Sequence, residues 1–121
     1  MTNLEKEKLL SFLTQDRKQY SELILLFLSQ LDKEVKFKLK IQKATIQLYH
    51  NVAFAVIGFR RSQSHVFIEF YNSDAICNPR IVKSITKPEH PKLVINRINV
   101  SSLHEIDIEL LTWVKTSSLL T

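Results

Sequence analysis

Glu34-Val35-Lys36-Phe37-Lys38-Leu39-Lys40-Ile41-Gln42 is the stretch at which the hydrophobic pattern of this chain changes. Before it, apolar residues recur every three or four positions. From Val35 they recur every second position. Val35, Phe37, Leu39 and Ile41 alternate with Lys36, Lys38, Lys40 and Gln42. Successive side chains of a strand point to opposite faces, so a period of two predicts a half-buried strand with lysines outward. Helical spacing before this point and strand spacing after it predict an α+β domain.

Two helices are expected upstream, over residues 1–33. Asn3 to Leu13 places Leu4, Leu9, Phe12 and Leu13 on one side, with Asn3 as a cap. Asp16 to Leu31 carries Tyr20, Leu23, Ile24, Phe27, Leu28 and Leu31 at i, i+3, i+4, i+7. Leu25 and Leu26 widen that stripe, which implies burial on two sides or an oligomer contact. Thr14 to Asp16 reads equally as a break or as the middle of one long helix.

Downstream, residues 34–100 predict an antiparallel meander of four to five strands. Ala44 to Tyr49 continues the alternation, as a bend of the first strand or a strand of its own. Val52 to Phe59 is a dense apolar run suited to a central strand. Arg60 to Ser64 reads as a hairpin loop, and His65 to Tyr71 as the next strand, with Val66, Ile68 and Phe70 on one face. Asn72 to Pro79 is turn-rich. Arg80 to Thr86 and Leu93 to Val100 predict two further strands, separated by Lys87-Pro88-Glu89-His90-Pro91, whose two prolines should stop a ladder. The closing helix, residues 101–118, should start at Ser102, which forms a capping box with Glu105. Leu103, Ile106, Leu110, Trp113 and Val114 supply its buried stripe. It should pack on the sheet of a single domain.

Composition removes several function classes. The chain has 121 residues and one glycine, and phosphate-binding loops need several, so a P-loop or dinucleotide-binding turn is excluded. The lone Cys77 cannot form an intramolecular disulfide, which fits a reducing compartment. No apolar run approaches the roughly 18 residues of a membrane span. Met1 to Leu10 lacks the apolar core of a signal peptide. A cytoplasmic protein is expected.

The charge is uneven. The net charge is +5, yet residues 35–100 alone hold eleven Lys/Arg against three Asp/Glu. Such a concentrated field attracts polyanions. The row Lys36, Lys38, Lys40 projects from one strand face at about 7 Å intervals, near the spacing of successive phosphates on a nucleic-acid strand. Arg60 and Arg61 would extend the patch. Outward lysines equally protect a sheet edge from aggregation. Within that strand no aromatic residue shares the lysine face. Arg80, Lys83, Lys87, Lys92 and Arg97 read as general surface.

The second half carries a resemblance. Val66-Phe67-Ile68-Glu69-Phe70-Tyr71, then Arg80-Ile81-Val82-Lys83, then Ser102-Leu103-His104-Glu105-Ile106-Asp107 and Glu109-Leu110-Leu111-Thr112-Trp113-Val114 follow in order. Over roughly residues 45–118 this resembles a bacterial and archaeal domain family of unknown function. That family has an "Arg-Ile-x-Lys" strand and a closing helix of the form "Ser-x-x-Asp-Leu-Asp-x-Glu-Leu-x-x-Trp". Here His104-Glu105 stands where the family has an acidic pair, and Lys115-Thr116-Ser117 replaces its usual ending. Some members are labelled predicted transport proteins and others are joined to nuclease-like chains. The resemblance implies an accessory module and brings no catalytic residues.

No catalytic, metal or cofactor motif is expected. His65, Glu69 and Tyr71 share a strand face, but residues four apart on a strand are about 13 Å apart, beyond hydrogen-bond reach. They would act only as polar groups of a small-ligand pocket. The four histidines have no metal-ligand spacing. Asp107 reads as support for a helix start and Trp113 as its anchor on the sheet. The expectation is a non-enzymatic binding domain whose partner is nucleic acid, with a protein-interaction or homodimeric module using the second helix or the exposed sheet face, and a small-ligand domain, as alternatives.

Overall fold

The computed structural model describes residues 2–14, 20–59 and 65–121. Two helices, α1 (Asn3–Thr14) and α2 (Ser21–Asp32), precede six strands: β1 (Lys38–Ile41), β2 (Thr45–Tyr49), β3 (Ala53–Phe59), β4 (Val66–Asn72), β5 (Ile81–Lys87) and β6 (His90–Val100). A 3-10 turn (Leu103–Glu105) leads into α3 (Ile108–Leu120). The α+β class, the two leading helices and the closing helix on the sheet are as expected. Among the described residues the strands number six, and their order is β1-β2-β3-β4-β6-β5. The meander therefore breaks at its last step: β6 inserts between β4 and β5, antiparallel to both.

All three helices lie on one face of the sheet. Leu39 and Ile41 of β1 stand in register with Leu48 and Ile46, which in turn face Ala55 and Ile57. The row continues through Phe70 and Ile68 to Asn96 and Ile98. Against it pack the buried residues of α2 (Leu23, Ile24, Phe27, Leu28 and Leu31), with Leu9 and Leu13 of α1 and Leu110 and Val114 of α3. Burying each such side chain contributes about 1.5–3 kcal/mol before entropy is set against it. The helical spacing of α2 predicted its buried set correctly. In α3 the stripe is narrower than expected. Leu103 is exposed, and Ser117 is buried instead. The Ser117 hydroxyl donates to the Phe54 carbonyl (2.6 Å) and accepts the Tyr71 N–H (2.8 Å), joining α3 to two strands at once.

Several boundaries differ from the sequence expectation, each for a local reason. α1 is capped by Thr2, not Asn3. Thr2 Oγ1 accepts the Glu5 N–H, and Glu5 Oε1 accepts the Thr2 N–H. α2 begins at Ser21, and the expected start at Asp16 falls outside the described residues. β1 begins only at Lys38, because β2 ends at Tyr49 and offers nothing to pair with Val35–Phe37. Pro88 and Glu89 form a tight turn, and the ladder resumes at His90. Pro91 is tolerated because the overhanging end of β6 reaches past β4, whose pairing begins at Val94. The capping box of Ser102 and Glu105 is present, but it closes the 3-10 turn. Asp107 caps α3.

Gly58, the sole glycine, needs no special backbone angle. It pairs with Phe67, whose ring tip lies where a Gly58 Cβ would be. Gly58→Ala therefore forces the Phe67 ring off β3. A loss of about 1–3 kcal/mol, the usual cost of overpacking, is expected in denaturant titration. An unchanged midpoint would show that the ring has free room to move.

Candidate functional site

Because the helices cover one face, alternate residues of every strand lie on the other. One row crosses the entire sheet in register: Lys40, Gln47, Val56, Glu69, Arg97 and Lys83. Both ends are lysines on edge strands. In the middle, Arg97 Nη2 lies 3.0 Å from Glu69 Oε2, and Nε donates to the same oxygen at 3.1 Å. That pair is electrically closed, so the free charge of the row is at its rims. Across five strand gaps the rims are about 24 Å apart. The neighbouring positions repeat the theme. Lys38 stands opposite Tyr49, and Lys87 lies at the other edge beside Tyr71.

The centre of this face is aromatic as well as neutral. Phe67 lies across Gly58, and the Arg97 guanidinium carbon is 4.2 Å from its ring centroid. Such a contact holds the guanidinium by its charge over the ring's negative face. Tyr49, Phe67 and Tyr71 are all half-buried here. Within β1 no aromatic residue shares the lysine face, as expected, but an aromatic residue of the neighbouring strand stands beside the lysines. Tyr49 comes from the adjacent strand, and only the register reveals it.

Of the predicted phosphate contacts, Lys38 and Lys40 are exposed on β1, and Lys36 is exposed in the segment before it. Arg60 and Arg61 lie outside the described residues. The β1 edge has another guard besides its lysines. The Leu39 N–H donates to Glu5 Oε2 at 2.6 Å, so a carboxylate of α1 occupies an edge donor. Edge protection is therefore shared with α1, which leaves the lysines more available for another role.

The structure divides the predicted trio of His65, Glu69 and Tyr71. Glu69 and Tyr71 line a cavity of about 130 Å³ with Gln47, Val56 and Lys87, while His65 precedes β4 and does not line it. Ligand pockets run to about 300–1,000 Å³. Glu69 is already engaged by Arg97. Cys77 is exposed. Among the described residues, no three His, Cys, Asp or Glu side chains cluster as metal ligands. No helix among them is long and apolar enough to cross a membrane.

Arg80 is not general surface. Its Nη1 contacts both carboxylate oxygens of Asp107 at 3.0 Å and Glu109 Oε1 at 3.1 Å. Its Nη2 donates to the Glu105 carbonyl at 2.7 Å. The guanidinium also sits 5.6 Å from the Trp113 ring, which stacks on Phe70 at 5.7 Å. Arg80, Asp107 and Trp113, separate motif positions in the sequence, thus form one cluster. Its chemistry is structural: Arg80 is held by two carboxylates, which themselves stay partly exposed. The signal that could have found it is a charged residue at a turn followed by an acidic helix start.

Comparison with models of known protein families, with curated proteins and with solved structures found no match to this chain.

The carboxylates at the helix starts make stability depend on pH. Burial opposes the Asp107 charge, but the Leu110 N–H and Arg80 outweigh it and hold the carboxyl below its ordinary range. Burial likewise opposes Glu5 and Glu105, and hydrogen bonds from Thr2 and Leu39, and from Ser101 and Ser102, overcome it. A depressed folded-state pKa contributes stability that is full above the unfolded carboxylate range and lost as pH falls through the folded value. Thermal melts from pH 7 to pH 3 should hold level down to about pH 5 and show falling stability below it. Asp107→Asn should flatten the fall and, because Asn caps about as well as Asp, cost at neutral pH only the charge at the helix start and on Arg80, up to about 1 kcal/mol. A fall equally steep in Asp107→Asn would assign the acid sensitivity to other carboxylates.

Proposed function

We propose that this domain acts by binding, not catalysis, as a nucleic-acid-associated accessory module whose contact surface is the helix-free face of the sheet. The observation that carries this reading is the row Lys40-Gln47-Val56-Glu69-Arg97-Lys83, cationic at both rims and neutral between them. Phosphates would meet Lys36, Lys38 and Lys40 at one rim and Lys83 and Lys87 at the other. The bases would lie over Tyr49, Phe67 and Tyr71. Aromatic side chains in a basic surface favour single strands, whose unstacked bases offer a face to every ring. Phosphate contacts position a protein without reading sequence, so selectivity would be weak. The family that residues 45–118 resemble has members joined to nuclease-like chains, and the resemblance would point the same way. A reducing cytoplasmic setting suits the single exposed thiol of Cys77.

Anisotropy titrations of a labelled single-stranded oligonucleotide at increasing salt test this. Log K should fall linearly with log salt, by about 0.7 per phosphate contact. Lys36→Ala/Lys38→Ala/Lys40→Ala should make the slope shallower by about two contacts, and Lys83→Ala/Lys87→Ala by one or two. Absence of binding at about 50 mM salt, where such contacts are strong, would sink the reading.

A further inference from the structure

The outer surface of the helical layer is as unusual as the open sheet face, but apolar. α2 is its middle helix. On one side, Lys6, Leu9 and Leu10 of α1 form a groove of about 340 Å³ with Leu25, Leu26 and Ser29. On the other, Ile106 to Glu109 and Leu111 form a groove of about 480 Å³ with Leu26 and Gln30. Leu26 belongs to both grooves. Ile108 is 82% exposed and Leu10 48% exposed, on the two outer flanks. Leu25, Leu26 and Leu111 are half-buried between them.

The charges at these grooves are of opposite sign. Lys6 borders the first, and Asp107 and Glu109 border the second. The carboxylates outnumber Arg80, the cation that binds both, so the second groove keeps an acidic rim. A two-fold axis running along α2 at Leu26 would bring the first groove of one copy onto the second groove of the other, and Lys6 toward Asp107 and Glu109. Self-complementarity of this kind is the requirement of a two-fold interface, in which the same patch meets itself.

We propose that a second copy of this chain covers the helical layer, giving a homodimer centred on Leu26 with Ile108 seated in the partner's first groove. An acidic-rimmed or basic-rimmed foreign partner would match only one of the two grooves, whereas a second copy matches both. The dimer would hold its two open sheet faces outward, away from the interface.

Sedimentation equilibrium over a wide range of protein concentration tests the proposal without any ligand. The wild-type chain should sediment as a dimer that dissociates on dilution. Ile108→Glu replaces a side chain that is already solvent-exposed, so the fold should survive, as circular dichroism will verify. Dimerisation should weaken by at least tenfold. Lys6→Glu should weaken it at low salt and much less at high salt, because its contribution is a rim charge. A wild-type chain that stays monomeric throughout overturns the proposal. So does a dimer that Ile108→Glu leaves intact, since its interface would then lie elsewhere. Both outcomes are independent of nucleic-acid binding, which uses the opposite face.

Discussion

Arg80 holds the two halves of the fold in register. It leaves the turn before β5 and meets Asp107, Glu109 and the Glu105 carbonyl. Asp107 is also the cap of α3, accepting the Leu110 N–H at 3.0 Å. One ion pair therefore fixes where the helix begins and which strand turn it begins beside. Trp113, a turn and a half further on, is delivered onto Phe70 by that start. The pair is partly exposed, so its worth lies more in geometry than in raw energy. Asn96, fully buried, does the same for the preceding loop. Asn96 Oδ1 accepts the Ile76 N–H and the Ser84 hydroxyl, which ties residues 73–79 to the sheet.

Once the helices are confined to one side, the character of the other side follows. A sheet with one covered face must present its alternate residues to solvent. Here those residues combine lysines at the two edges with three aromatic rings and one neutralised carboxylate between. The same confinement leaves the outside of the helical layer without a cover, and the excess leucines of α2 and the exposed Ile108 are placed there. The two proposed surfaces are thus back to back. A polyanion on the sheet and a second copy on the helices would not compete.

Local pattern made much of this legible. The change of period at Val35 separates helices from strands, and the stripe of α2 names its buried residues. The reading of Trp113 as an anchor on the sheet agrees with the geometry, while Asp107, expected only to support a start at Ser102, is the cap of α3 itself. Other features escaped for reasons of range. The partnership of Lys38 with Tyr49 and of Glu69 with Arg97 depends on cross-strand register. Arg80 reaches Asp107 across 27 positions. Spacing along the chain carries no information about such pairs.

The sequence by itself determined the class of fold, its α2 core, and the basic character of the strand-rich middle. Those properties come from periodicity and composition, which act locally or add over residues. Tertiary structure decided that β6 lies inside β5. It also placed Lys40 and Lys83 at opposite ends of one row and showed a single cluster in Arg80, Asp107 and Trp113. Each of these is a choice of neighbour. A chain selects neighbours by which whole arrangement buries its apolar face and pairs its polar groups, and no short stretch holds that sum.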